Sequence, residues 1–383
     1  MPVYLDRPLP RHAGCLRDSQ ASGDQPFARD ALEIGIINNM PDRALQATER
    51  QFLTLLEAAA GHLSVRVGFY NLAGVPRGEA ARRHVADCYC SADELSNRHL
   101  DGLIVTGTEP RSPDLASEPY WNSVTWLIDW AERNTTSSIW SCLAAHAAVL
   151  YLDGLERWRL DQKRFGLFRC VVANQHPLTD GTPPCFTVAH SRWNELREQD
   201  LLGEGYRILT KSEEAGVDAF VKQRGSLFLF FQGHAEYEAN TLLFEYRRDI
   251  SRYLRGERES YPAMPAHYFG PAAGHALLDF QERATRARRE ELLLEFPANL
   301  LAPDLWNQAR PAARRVYRNW LRHLAARKRR PSSKAALCRT ASAGTMALRE
   351  SSPARTDPTP PAPGLQRTGI YACAQNLRHR TYE

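Results

Sequence analysis

The 383-residue chain has no uninterrupted apolar run approaching the roughly 20 residues that span a bilayer, so no helical membrane anchor is expected. Its eight cysteines, at 15, 88, 90, 142, 170, 185, 338 and 373, include no CxxC pair and no recurring metal-ligand spacing. No phosphate-cradling P-loop is visible either, so neither a metal site nor a P-loop nucleotide site is expected. Met1 to Arg11 carry proline and charge but no apolar stretch followed by a small-residue cleavage site, which argues against secretion. Reduced thiols in a cytoplasmic protein are the expectation, and any cysteine with chemistry must be found from its surroundings.

A basic stripe is also lacking. The net charge is +5, but from Arg329 onward there are nine Lys or Arg against three Asp or Glu, a balance of +6 that leaves −1 for residues 1–328. A basic tail binds polyanions weakly and without sequence preference, so nucleic acid is not an expected partner. What is present is an ordinary globular composition, 43% hydrophobic and 24% charged, with length enough for a sizeable core.

Residues 1–30 lack periodicity and read as a loose leader. Leu32 to Asn38 is a short, β-branched apolar run that stops at Asn39-Met40-Pro41, as a buried strand does. Leu45, Thr48, Phe52, Leu55, Leu56 and Ala59 then recur at helical spacing up to Gly61, and Leu63, Val65, Val67 and Phe69 alternate as in a strand. Leu103–Val105, the helix around Trp121–Trp130, and Ser137–Cys142 with the helix Leu143–Leu152 continue the alternation of strand and helix. This pattern predicts an α/β fold around a doubly wound, mostly parallel, flavodoxin-like sheet, whose ligands bind at the carboxyl ends of the strands. Phe165 to about Arg224 reads as shorter strands and loops. Ser226–Phe231 is continuous apolar, a strand covered on both faces, and helices follow at about 240–254 and 279–296. Residues 31–328 thus form the expected catalytic domain. Residues 329–383, with six prolines beyond Lys328 and no hydrophobic period, read as a disordered tail.

The sharpest local feature is IWSCLAAHAAVL, where a strand ends in Cys142 and passes at once into an Ala-rich helix. A nucleophile on such an elbow is exposed at the sheet edge, close to the positive end of the helix, and the same amides can hold an oxyanion. A small buried thiol is the bland alternative. The run FFQGHAEYE supplies a base: His234 at the end of the last apolar strand, with Glu236 two residues on to fix the imidazole tautomer.

INNMPDRALQATERQ, DGLIVTGTEP, PYW at 119–121, SSIWSCLAAHAA, QKRFGLF, HSRWNEL, SEEAGV, QGHAEYEANTL, EYRRD and PAHYF resemble, in order, the homoserine O-succinyltransferase family of methionine biosynthesis. The similarity spans about 32–270, and Val316–Ala325 echoes the final helix of the family. The resemblance implies a class I glutamine amidotransferase-like fold and a Cys142–His234–Glu236 triad acylated by an acyl-CoA. It further implies Lys163 and Ser191 around the acyl donor and Arg248 on the carboxylate of the amino acid, a task suited to the planar guanidinium fork. Thr48 and Glu49 match a family TE pair. The implied chemistry makes O-succinyl- or O-acetyl-L-homoserine from succinyl-CoA or acetyl-CoA as co-substrate, with no permanently bound cofactor. The expected partners are these small molecules and a second copy of the chain in a homodimer.

The chain departs from the family pattern in three places. His146 stands where the family has Gln. Arg111 stands where the family has a small or acidic residue that governs donor choice, and two readings of the added cation stay open: it pairs with a donor carboxylate, favouring succinyl, or it points into solvent. The leader differs and the tail is additional. Three other readings stay open: the same transfer to serine or another short hydroxy amino acid, a glutamine amidotransferase or amidohydrolase, and a non-catalytic regulator. Ser141 and Leu143 flank the cysteine where an amidotransferase elbow normally has Gly on both sides, which disfavours the second.

Overall fold

A computed structural model of the chain describes residues 3–9, 30–297 and 310–329. The strands are β1 (Val3–Leu5), β2 (Leu32–Ile37), β3 (Val65–Tyr70), β4 (Leu100–Val105), β5 (Thr135–Ser141), β6 (Trp158–Val172), β7 (Cys185–Glu195), β8 (Arg207–Ser212), β9 (Gly216–Gln223) and β10 (Leu227–Phe231). The helices are α1 (Asp42–Ala60), α2 (Glu79–Cys88), α3 (Ala92–Ser96), α4 (Trp121–Asn134), α5 (Leu143–Asp153), α6 (Glu198–Gly203), α7 (Thr241–Leu254), α8 (Pro271–Arg286) and α9 (Arg310–Lys328).

All ten strands join one sheet in the order β1-β3-β2-β4-β5-β10-β9-β8-β6-β7. From β1 to β10 neighbours run parallel, and from β10 to β7 they run antiparallel. Alternation along each parallel strand feeds two cores. Leu227, Leu229 and Phe231 of β10 face the core shared with α1 and α9, whereas Phe228 and Phe230 face the one shared with α4 and α5. Helices on both faces make the parallel half doubly wound, and chain order reverses between β3-β2 and β4, the place where such sheets bind ligands.

Helix α9 closes the first core. Trp320 is fully buried and donates from Nε1 to Ser137 Oγ at 3.0 Å. Its ring leaves no room above β4 for anything larger than hydrogen, since a Cβ on Gly102 would lie 2.7 Å from it.

The structure differs from the sequence expectations at several points. Val3–Leu5, within the expected leader, pairs with Val65–Val67 of β3 and extends the sheet. The stretch expected to hold shorter strands contains two long ones, β6 and β7, paired over nearly their whole length. The single expected helix at 279–296 is α8, ending at Arg286, followed by a separate 3-10 turn at Glu290–Glu295. The remainder of the leader, residues 10–29, and the expected tail from 330 lie outside the described residues.

Candidate active site

Strand β5 is buried along almost its whole length and stops at Ser141, and α5 starts at Leu143. Cys142 makes the turn between them with φ 52° and ψ −113°, a left-handed backbone that costs a residue with a Cβ on the order of 1–3 kcal/mol. The strain is held by hydrogen bonds on both sides. Cys142 N donates to Phe231 O at 2.7 Å, and Cys142 O accepts from Ala145 N at 3.0 Å and His146 N at 3.3 Å. The thiol is thereby raised out of the sheet edge, half-buried, beside the unpaired amides that begin α5.

Next to β5 in the sheet, β10 ends at Phe231 opposite Ser141, and Gln232-Gly233 carry the chain to His234. The His234 amide donates to Ala189 O of β7 at 2.8 Å, and its Nδ1 lies 2.8 Å from Glu236 Oε1. Tyr237 stacks on the imidazole with centroids 4.1 Å apart. Burial alone would lower the imidazole pKa, but the Glu236 carboxylate and the hydrogen-bonded Cys142 sulfur push it well above the ordinary value. The surroundings thus favour the imidazolium form of His234.

Behind His234 lies a buried polar group. A Cβ on Gly233 would lie 2.5 Å from Asp218 Oδ1, so only glycine lets the chain pass there. Asp218 accepts from Thr210 Oγ1 at 2.7 Å and from the Gly233 amide, and burial pushes its carboxyl up to about 6. His190 Nε2 stands 3.7 Å away.

The sulfur and imidazole open on a cavity of about 290 Å³ at the carboxyl ends of β2, β4, β5 and β10. Lys163, Ser191 and Arg248 line it with them. Lys163 Nζ lies 3.5 Å from both Glu245 and Asp249 and 3.9 Å from the centre of the Phe165 ring. Ser191 Oγ donates to Glu245 at 2.5 Å, and Tyr237 donates to the other oxygen of the same carboxylate. Burial would raise the Glu245 pKa, but Lys163, Arg248 and these two hydroxyls hold it below the usual range. Arg248 meets Asp249 Oδ1 through Nε at 2.9 Å and Nη2 at 2.8 Å.

The sequence profile of the homoserine O-succinyltransferase family matches residues 13–330. The chain belongs to that family. The homoserine O-succinyltransferase of Rhodopseudomonas palustris is 46% identical over 304 residues, 79% of this chain and 91% of that protein. The Bradyrhizobium japonicum relative of the same name is 46% identical over 308 residues, 80% of this chain and 94% of the relative. The one from Methylococcus capsulatus is 41% identical over 327 residues, 84% and 92% of the two chains. Among solved structures, a glutamine amidotransferase from Methylobacillus flagellatus superimposes with a TM-score of 0.45 at 16% identity, covering 77% of this chain and 95% of that one.

As a member of the homoserine O-succinyltransferase family the chain is an O-acyltransferase of methionine biosynthesis. The structure brings together six of the seven site residues read from its sequence: Cys142, His234, Glu236, Lys163, Ser191 and Arg248. Arg111 is the exception. It is exposed and does not line the cavity; its amide and that of Ser112 donate to Glu118 Oε1 at 2.5 and 2.7 Å, which turns the loop outward. Of the two readings left open for Arg111, this placement favours the one in which the side chain points into solvent. Of the TE pair, Thr48 lines the cavity, whereas Glu49 is buried and accepts from Tyr89 Oη at 2.7 Å, with His84 Nε2 at 2.6 Å.

His146 is buried with Nε2 3.1 Å from Gln232 Oε1, and burial drives its pKa down to about 3, so it stays neutral behind Cys142. Missed in the sequence were Tyr237, the carboxylates Glu245 and Asp249, and the Asp218–His190 pair. Glu245 and Asp249 stand four residues apart in α7, the spacing that puts two side chains on one helix face, and this was a usable signal. Among the described residues no group of His, Cys, Asp and Glu is arranged to hold a metal ion, and no helix is long and apolar enough to cross a membrane.

Proposed function

We propose that the chain transfers the succinyl group of succinyl-CoA to the hydroxyl of L-homoserine through a thioester on Cys142. The observation that carries this reading is the strained Cys142 elbow facing a buried His234 that is itself held by Glu236. In the first half-reaction the Cys142 thiolate attacks the thioester carbonyl, forming the new carbon–sulfur bond and a tetrahedral oxyanion. The amide of Leu143 and those of Gly107 to Glu109 stabilise the oxyanion; Gly107 comes within close packing distance of Leu143. Collapse breaks the bond to CoA, whose thiolate takes the proton of the His234 imidazolium.

In the second half-reaction homoserine, held through its carboxylate by Arg248, gives its hydroxyl proton to His234 and attacks the acyl-enzyme. The carbon–sulfur bond to Cys142 breaks, and the thiolate is restored. Exchange between two thioesters keeps the acyl group activated until the acceptor arrives. Lys163 and Ser191 bind around the acyl donor. We assign this chemistry to residues 31–328, with acyl-CoA as co-substrate, a homodimer as the assembly and the cytoplasm as the location.

The test is to mix the purified protein with succinyl-CoA alone and follow CoA release and intact mass. A stoichiometric burst of CoA with a succinyl adduct is expected, discharged by homoserine, and Cys142→Ala should abolish both. Failure of every CoA ester to label Cys142 would sink the reading.

A further inference from the structure

We infer that Arg157 selects the acyl donor, receiving the terminal carboxylate of a dicarboxylic acyl group while its thioester carbon lies at Cys142. The inference rests on the function proposed above and replaces Arg111 in the role the sequence suggested for it.

Arg157 lies in the short link from α5 to β6, after Gly154 ends the helix in a left-handed turn, and it lines the same cavity as Cys142 and Lys163. The charge of the Cys142 sulfur acts on its guanidinium, and the guanidinium in turn acts on His146, one helical turn beyond Cys142. Arg157 lines the cavity together with Leu143 and His146 of the first turn of α5, where the tail of an acyl group on the sulfur would reach.

The second argument is charge balance. Of the other cavity cations, Arg43 and Arg252 pair with Glu109, Arg248 with Asp249, Lys163 with Glu245 and Asp249, and Arg192 with Glu195, whereas Arg159 is exposed over the Trp193 ring and Arg258 donates to Ser260 O. No carboxylate among the described residues forms an ion pair with Arg157. Among the described residues its hydrogen bond runs from Nη2 to Pro113 O at 2.9 Å. Glu118, the carboxylate that acts on it, accepts through Oε1 from the amides of Arg111 and Ser112. A half-buried guanidinium without a counter-ion is costly unless the ligand supplies one, and its unused edge fits a carboxylate in two-point fashion. A succinyl group brings that carboxylate; an acetyl group does not. A site built around a polar group of the substrate discriminates strongly against the analogue lacking it.

The test compares kcat/KM for succinyl-CoA and acetyl-CoA at saturating homoserine in the wild-type chain, Arg157→Gln and Arg157→Lys. The wild type should prefer succinyl-CoA. Arg157→Gln should cut the succinyl-to-acetyl ratio by about tenfold or more, with the homoserine KM unmoved, and Arg157→Lys, which keeps the charge without the fork, should recover part of it. Equal losses with both donors would overturn the inference, because CoA is common to both and the acyl tail would then not be what Arg157 reads. A change confined to the homoserine KM would also overturn it by assigning Arg157 to the amino acid, as would an unchanged ratio. If Arg157→Gln fails to fold, the Arg157→Lys ratio decides on the same terms. Absence of any adduct in the wild type would instead strike the parent reading, so the two failures are separable.

Discussion

The parallel and antiparallel halves of the sheet meet at β10 and β9 and serve the cavity in different ways. In the parallel half, β5 and β10 are direct neighbours in register, Ser141 opposite Phe231, and each hands on its next residues, Cys142 and His234, at the same edge. The distance between sulfur and imidazole is therefore set by backbone hydrogen bonds. In the antiparallel half, β6 and β7 present Lys163 and Ser191 from within the strands, and the ladder slips between Arg159 and Arg164, a bulge that re-aims Lys163. Helix α7, with Arg248, packs over this half through Phe165 and Leu167. The groups proposed to react thus stand on the rigid register, whereas those proposed to choose the substrates stand where one residue can change without moving Cys142 and His234.

Two substitutions test that division. Glu236→Gln, on the parallel side, keeps the shape around His234 but loses the carboxylate that stabilises imidazolium. A fall in kcat of about 10³–10⁴ is expected, visible as slower adduct formation and slower discharge, with both KM values little changed. A loss expressed only in KM would break the comparison. Arg248→Lys, on the other side, should raise the homoserine KM by about ten- to a hundredfold while succinyl-CoA acylates Cys142 at the wild-type rate. Slowed acylation in single-turnover mass spectrometry would show that the two halves are not separable.

The smallest effect concerns stability. The folded state keeps His146 neutral with a pKa of about 3, while the unfolded chain protonates it near 6.5, so its contribution is intact above 6.5 and is lost as pH falls from 6.5 toward 3. His146→Gln removes this liability and can still bond to Gln232. The variant should therefore gain about 1–2 kcal/mol over wild type at pH 5 relative to pH 8, as read from denaturant melts. Equal acid sensitivity in the two proteins would place the imidazole in contact with water.

Where local pattern and tertiary role coincide, the sequence was readable. Leu32–Ile37, Leu100–Val105 and Leu227–Phe231 are buried on both faces and show as apolar runs, and the Cys142 elbow shows as a strand passing directly into an Ala-rich helix. The first part of β6 was not readable, because Arg159, Asp161, Lys163 and Arg164 belong to a stretch that borders a polar cavity and carries no apolar alternation. Helix α2 was missed for a similar reason, burying only Ala81 and Cys88. Three residues of β1 are too few to show a period. The choice left open for Arg111 was not decidable from the sequence, because neighbourhood to the TGTEP loop does not reveal that the Glu118 carboxylate gathers the amides of Arg111 and Ser112 or that the side chain stands exposed.

The Trp320 plug over Gly102 sets an order of events during synthesis. The face of β2, β4 and β5 that it covers is complete once Ser141 has been made, yet its lid comes from residues beyond 310. A chain still on the ribosome therefore carries a finished but uncovered apolar surface for nearly half of its translation, and a product cut short before Arg310 keeps it for good. Such fragments should depend on chaperones and be cleared quickly, and a fusion at the start of α9 should cost far more soluble protein than one placed beyond Lys328.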